Sequence, residues 1–136
     1  MDYNTFFEQA LDALGIATTA VPDKQWVSSA DCNTLSDDAG KSWIQPFAVQ
    51  FSDTAARDNY LNLFGLDPKQ YPDFPMQLTA FAVQSLEIAT AFPLKISLED
   101  SSAPVVFVAR NLNLQAGAQI VSNNALIAGV QNLVKH

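Results

Sequence analysis

The sequence predicts a single α+β domain, residues 1–136, in which β structure predominates. Hydrophobic residues make up 49% of the chain and charged residues 15%, a composition typical of a folded chain with a sizeable core rather than a disordered one. Apolar residues near the N-terminus recur at helical spacing, whereas from Gln77 onward they alternate with polar residues. A proline-rich stretch, residues 65–76, separates an α+β part, residues 1–75, from a β-rich part, residues 76–136.

The first helix is predicted at residues 6–14. Thr5 and Glu8 have the spacing of a capping box, in which each side chain accepts a hydrogen bond from a backbone N–H at the start of the helix. Gly15 stands where the left-handed cap at the end of a helix is usually found. The apolar face of this helix consists of Phe7, Ala10, Leu11 and Leu14.

A second helix is predicted at residues 53–64, with Ser52 as its N-cap and Gly65 at its end. Asp53 and Arg57 are four residues apart, a spacing that predicts an ion pair on the exposed face of the helix. The apolar stripe of this helix consists of Ala56, Tyr60, Leu61 and Phe64.

Strand signals in the N-terminal part are short. Residues 25–29 are typical of a strand, and residues 31–40 are rich in residues that form turns. Residues 42–51 predict a strand that Pro46 interrupts. Because proline donates no hydrogen bond to a neighbouring strand, we expect this strand at a sheet edge or at a bulge.

The β-rich part predicts further strands at residues 78–88, 94–98, 104–114 and 119–121. Residues 125–134 fit either strand structure broken at Gly129, which we favour, or a C-terminal helix.

Three segments of the β-rich part form an irregular repeat. They begin at Ala82, Val108 and Gly129, and each has two small or β-branched residues, then two polar residues, then leucine. The corresponding leucines are 26 and then 21 residues apart, near the shortest periods of stacked repeats. Stacked in parallel, the segments would form an inner apolar column and outer ladders of hydrogen-bonded amides, as in cross-β stacks. Glu87 would then take the same outward place as Asn113.

The stretch at residues 111–120, NLNLQAGAQI, resembles the coils of right-handed β-solenoid proteins, such as haemagglutinin-type adhesins and pectate-lyase-like enzymes. The resemblance covers residues 105–124 well and residues 78–134 loosely. It implies a short β-solenoid with a corner at residues 115–118, for which the α+β part at residues 1–75 would serve as a cap. Any half-buried strand alternates apolar and polar residues, so a sandwich or barrel stays open as the alternative architecture.

Residues that could carry catalysis are few. Cys32 is the only thiol and His136 the only imidazole, and a terminal histidine is poorly placed to act as a base. Metal-binding motifs and phosphate-binding glycine loops are absent, and the aspartates of residues 31–38 fit a solvated turn better than a Ca²⁺ site. Glu87 and Asp100 are candidate acids of a polysaccharide-acting enzyme, the least favoured function. The sequence therefore predicts neither an enzyme nor a cofactor.

Low charge and abundant amides predict a structural or interaction domain. Between Asn111 and Gln131 there is no lysine or glutamate, so open strand edges there would lack the charges that normally prevent pairing with another chain. We expect the chain to form a homo-oligomer or to join or cap a larger β-rich protein. The candidate interface residues are Leu112, Leu114, Ile120 and Leu126.

A module that binds carbohydrate or another polar ligand is the alternative. Amide side chains offer hydrogen-bond donors and an acceptor to sugar hydroxyls, and exposed aromatic rings offer surfaces for stacking. The candidate ligand-binding residues are Asn111, Asn113, Gln115, Tyr71 and Phe74.

The charge and hydropathy of the chain argue against two further partners. A net charge of −7 with scattered basic residues is unsuited to nucleic acid, which binds clustered lysine and arginine. No stretch approaches the ~18–20 uninterrupted apolar residues of a membrane span. The N-terminus lacks the basic start and apolar run of a Sec signal peptide. We expect a soluble protein, either cytoplasmic or exported by another route.

Overall fold

A computed structural model of the 136-residue chain describes residues 5–17, 21, 27–30, 34–36, 44, 46–51, 53–67, 69, 76–98 and 104–135. The described elements include two helices, α1 (Phe6–Leu14) and α2 (Thr54–Leu63). The described strands are β1 (Val27–Ser28), β2 (Thr34–Leu35), β3 (Phe47–Phe51), β4 (Met76–Ile88), β5 (Leu94–Ile96), β6 (Val105–Leu114), β7 (Ile120–Ser122) and β8 (Leu126–Lys135). The predicted α+β class with mostly β structure is confirmed.

The described strands form two sheets. In the larger sheet, β4, β6 and β8 are parallel neighbours in that order. On the other side of β4, β1 pairs in parallel and β3 antiparallel. In the smaller sheet, β2, β5 and β7 are parallel neighbours. From β4 to β8 the chain alternates between the two sheets, so each return to a sheet adds a strand beside the previous one.

Helix α1 has the predicted bounds, and its end is the predicted glycine cap: Gly15 is left-handed, with φ of 73°. The predicted capping box is not formed. The Thr5 side chain makes no capping hydrogen bond, and its Oγ1 accepts from Gln9 Nε2 at 2.9 Å. Glu8 instead forms an ion pair with Arg110 of β6, so a tertiary contact replaces the local one. The buried face consists of Phe6, Phe7, Ala10, Leu11 and Leu14.

Helix α2 begins after Asp53, which is the N-cap in place of the predicted Ser52. The Asp53 carboxylate accepts a hydrogen bond from a first-turn backbone N–H at 2.7 Å. Arg57 pairs with the adjacent Asp58 at 3.1 Å in place of the predicted Asp53, whose carboxylate caps the helix. Of the predicted apolar stripe, Tyr60 and Leu61 are buried, Phe64 is half-buried and Ala56 is exposed.

Each strand predicted in the β-rich part is present, with ends that differ by one or two residues. The last of them, β8, continues unbroken through Gly129, where the sequence predicts an interruption. In the N-terminal part, β3 begins directly after Pro46 and lies on the outer side of β4, as a proline-bounded strand should. Thr34 and Leu35 form β2 inside a stretch predicted as turns, because they pair with β5 of the smaller sheet.

Two layers of buried side chains hold these elements together. The first lies between the helices and one face of the larger sheet, termed the helix face; it includes Phe7, Leu11, Tyr60, Ala80 and Val106. The second lies between the two sheets, against the inner face of the larger sheet; it includes Phe81, Leu86, Ile96, Phe107 and Leu112. The larger sheet is therefore covered on both faces over much of β4 and β6.

The three long strands share a bend. At the bend, the residues before and after one position are paired between neighbouring strands, but the residue at that position is not. These residues are Gln84, Arg110 and Gln131, and they stand at equivalent positions. Before the bend Val83 lies on the inner face, and after it Leu86 does, although the two are an odd number of residues apart. One extra residue at the bend therefore shifts the alternation of faces and keeps apolar residues inside on both halves of the strand.

Candidate interaction site

The three repeat segments lie side by side in the larger sheet. Val108 of β6 pairs with Ala82 of β4 on one side and with Gly129 of β8 on the other. The leucines of the repeat occupy another such row, as do its polar residues. The alignment of the segments that the sequence predicts is therefore the register of the sheet.

Amide side chains form a hydrogen-bonded row across this sheet. Asn132 Nδ2 donates to Asn111 Oδ1 at 3.0 Å, and Asn111 Nδ2 donates to Ser85 Oγ at 3.0 Å. The predicted amide ladder is confirmed in this row. Its last member, Asn132, is exposed, whereas Ser85 at the other end is buried.

A second polar row surrounds Glu87. Asn113 Nδ2 donates to Glu87 Oε2 at 3.3 Å, and Gln115 Nε2 donates to Glu87 Oε1 at 2.9 Å. Glu87 and Asn113 occupy paired positions, as the repeat predicts. These amide donors are engaged in holding neighbouring strands together, which leaves fewer of them for a sugar than the sequence suggests. Ligand binding by Asn111, Asn113 and Gln115 stays a prediction.

The candidate interface residues lie at different depths. Leu112 is only 4% exposed and packs between the two sheets, so it is a core residue that a second chain does not reach. Leu114, Ile120 and Leu126 are half-buried at the rim of the same layer. The other candidates, Cys32, Tyr71, Phe74, Asp100 and His136, lie outside the described residues.

The outer edge of β8 is an open side of the larger sheet. β8 pairs with β6 along its whole length, and no described strand pairs with its other side. The Val105 N–H donates to the Ala125 carbonyl at 2.9 Å, so Ala125 and every second residue up to the bend face β6. The backbone N–H and C=O groups of Leu126, Ala128 and Val130 therefore point away from the sheet.

Apolar side chains are also exposed on β8. Leu133 continues the row of Leu86 and Leu112 but is 51% exposed, against 0% and 4% for those two. Val134 is 50% exposed on the opposite face. A ten-residue edge strand with exposed apolar side chains and Lys135 as its only charge is the kind of edge that templates pairing with another chain.

Sequence reasoning missed Leu133 and Val134. The repeat marks Leu133 as equivalent to two buried leucines, and only the order of strands shows that β8 is the last in the sheet. The sequence does contain one signal: Lys135 takes the place that Ile88 and Leu114 hold in the preceding segments. A lysine in an apolar column indicates that the column ends there.

The opposite side of the larger sheet is better protected. The strands that pair there with β4 are short: β3 has five residues and β1 has two. β3 is antiparallel to the rest of the sheet and follows Pro46 directly. Short edge strands and proline are features by which proteins discourage edge pairing. Among the described strands, β8 is therefore the longest open edge.

A groove of about 350 Å³ runs beside the outer edge of β8. Its apolar wall comes from Phe6 of α1, Leu63 of α2 and the two residues that follow α2, Phe64 and Gly65; its other side is residues 128–131 of β8. The groove adjoins the outward-pointing backbone groups of Ala128 and Val130. An extended chain paired with β8 would thus place its helix-face side chains in an apolar groove.

Two residues of the bend, Arg110 and Gln131, hold helix α1 against the larger sheet. This contact also holds Phe6 in place at the wall of the groove. The Phe7 N–H donates to Gln131 Oε1 at 2.9 Å. Arg110, next to Gln131 in the row, pairs with Glu8 and lies over the Phe7 ring, 5.1 Å from its centroid. The polar residues of the bend therefore bind the first turn of the helix to β6 and β8.

No three of the described His, Cys, Asp and Glu residues are grouped so that they could hold a metal ion. Neither of the two described helices is long and apolar enough to cross a membrane. Comparison of the chain with models of known protein families, with curated proteins and with solved structures gives no match. The geometry around the edge of β8 is accordingly the basis for inferring a function.

Proposed function

We propose that this chain is a non-enzymatic assembly domain, built as a short β-solenoid, that joins a second copy of itself through the outer edge of β8. The observation that carries the proposal is the ten-residue edge of β8, which no described strand covers and on which Leu133 and Val134 are exposed.

The solenoid part of the proposal is supported by the path of the chain. Successive strands are added in parallel to the larger sheet and to the smaller sheet in turn, in the same order. Apolar side chains fill the space between the sheets, and hydrogen-bonded side chains link successive strands outside. A sandwich of the immunoglobulin type is instead built from antiparallel strands, and β3 is the only antiparallel one among the described strands.

The chemistry of β8 supports a second copy as the partner. The chain has a net charge of −7, so two copies repel each other over most of their surfaces. β8 contains no acidic residue, and Lys135 makes it slightly positive. Two copies that meet edge to edge therefore satisfy their outward backbone groups and cover their exposed apolar side chains without bringing carboxylates together.

The mass in solution, measured by light scattering on a sizing column across a concentration series, tests the proposal. The parent chain is expected to reach twice the mass of one chain as the concentration rises. The Leu133→Lys variant is expected to keep the mass of one chain at the same concentrations, because pairing would force an unpaired charge out of water. Leu133 is 51% exposed, so this variant should fold as stably as the parent.

Phe92→Lys is the matched control. Phe92 is 45% exposed in the turn after β4, away from the outer edge of β8, so this variant should assemble like the parent. A parent chain that keeps the mass of one copy throughout the series would contradict the proposal. So would a Leu133→Lys variant that assembles as readily as Phe92→Lys.

A further inference from the structure

We infer that two copies pair β8 with β8 in antiparallel fashion, about a twofold axis that passes between the two Val130 residues. This inference rests on the proposed assembly through the β8 edge, and it adds the direction of pairing and the residues that meet. It follows from the direction in which each residue of β8 presents its backbone groups and its side chain.

Beyond the bend, backbone directions follow from a second hydrogen bond. The Gln115 N–H donates to the Ile88 carbonyl at 3.1 Å, so Gln115 faces β4. Leu114, one residue earlier, and Leu112, two before that, consequently face β8. In a parallel pair a residue bonds to the two neighbours of its partner, and Leu112 is paired with Leu133. Leu133 therefore presents its own N–H and C=O groups outward.

The outward residues form a symmetric series along the edge. The series is Leu126, Ala128, Val130, Leu133 and Lys135. Two outward residues therefore precede Val130 and two follow it. The longer step from Val130 to Leu133 contains Gln131, the extra residue of the bend. A second copy running antiparallel and centred on Val130 thus brings each outward residue opposite another outward residue. Antiparallel strands require this match, because facing residues of that kind exchange both backbone hydrogen bonds.

Antiparallel pairing centred on Val130 also brings side chains on the same face of the sheet opposite each other. On the inner face, Leu133 would lie opposite Ala128 of the second copy. On the helix face, Val134 would lie opposite Ile127 of the second copy, beside the groove lined by Phe6 and Phe64. Both exposed apolar side chains of β8 are covered in this arrangement, and each copy contributes to the groove of the other.

The protected opposite edge favours a closed pair over a filament. In a head-to-tail filament, β8 of one copy would have to pair with the far side of the next, where the short strands β1 and β3 lie among the described residues. Antiparallel pairing about a twofold axis uses both β8 edges at once. Assembly through this edge therefore stops at two copies.

Disulfide cross-linking of variants made in a Cys32→Ser background, which has no other thiol, tests this geometry. Val130→Cys would place its two copies in facing positions, with Cα atoms ~5.5 Å apart, a separation that a disulfide spans. Leu133→Cys is the matched control on the same strand. Each Leu133 would lie opposite Ala128 of the other copy. The two Leu133 residues would then be four strand positions apart, since Gln131 is the extra residue of the bend, and this separation of ~13 Å is one that a disulfide does not span.

We expect Val130→Cys to form a covalent dimer under mild oxidation and Leu133→Cys to form none. Ile127→Cys combined with Val134→Cys is a second expected cross-link, through positions with Cα atoms ~4.5 Å apart, and covers the case in which Val130→Cys folds poorly. Equal cross-linking of the two single variants would show that the copies do not meet in antiparallel register about Val130; this would overturn the inference but leave the proposed assembly intact. A parent chain that keeps the mass of one copy would overturn both.

Discussion

Replacing Leu112 with alanine is expected to lower the free energy of unfolding by about 2–5 kcal/mol, the usual cost of truncating a buried leucine. The same change at Leu133 is expected to lower it by no more than about 1 kcal/mol. The two leucines occupy paired positions of one repeat, on neighbouring strands. They differ in burial, 4% exposed for Leu112 and 51% for Leu133, because only Leu112 is flanked by strands on both sides.

Urea unfolding at a protein concentration low enough to keep the copies apart measures this difference. Leu86→Ala, in the same row and fully buried, provides a second reference and should resemble Leu112→Ala. Similar decreases in the free energy of unfolding for the Leu112 and Leu133 variants would mean that Leu133 is packed between the sheets, as Leu86 and Leu112 are. The position of β8 as the last strand of the larger sheet would then be wrong.

Replacing Gly129 with valine is expected to lower the free energy of unfolding by about 1–3 kcal/mol through overpacking. A Cβ at this position would lie 2.5 Å from Phe64 Cε1 and 3.0 Å from Phe6 Cζ. The two rings form an edge-to-face pair, with centroids 5.7 Å apart, that rests directly on β8. One or both rings would have to move, which also alters the wall of the groove.

Strand propensity and the repeat both predict the opposite, that valine at this position stabilises the protein. Valine favours strands far more than glycine does, and Val108 holds the corresponding place on β6. Ala128→Val is the control, because Ala128 is exposed; we expect a change within about 0.5 kcal/mol. Urea or thermal unfolding distinguishes the two. A Gly129→Val variant as stable as Ala128→Val would contradict the packing of the aromatic pair on β8.

The parts of the fold that were predictable are those that local patterns encode. Alternating apolar and polar residues located the strands of the β-rich part, and the positions of Leu86 and Leu112 in the repeat gave their pairing. Both signals reflect which face each side chain occupies, and faces also determine register. Contacts between distant segments had no such signal: neither the ion pair of Glu8 with Arg110 nor the strand at Thr34 and Leu35 follows from its neighbours in sequence.

The candidate site was predictable in kind but not in its residues. The amide row through Asn111 and the shortage of charge near the C-terminus pointed to edge pairing. The predicted interface residue Leu112 is nevertheless in the core, and the exposed one is its counterpart Leu133. The exposure of these leucines depends on the order of strands in the sheet, and two equivalent segments of sequence do not reveal which of them is outermost.

Residue-resolved hydrogen exchange by NMR, at low and at high protein concentration, tests most directly whether β8 is an open edge that pairs on assembly. In the separate chain the amides of Ala128 and Val130 should exchange fast, and those of Ile127 and Gly129, which face β6, should exchange slowly. At concentrations where the mass doubles, the amides of Ala128 and Val130 should become protected as well. If they are already protected at concentrations where the mass is that of one chain, the edge is covered within one chain. If they stay unprotected while the mass doubles, the copies join elsewhere. Either result would contradict assembly through an open β8 edge.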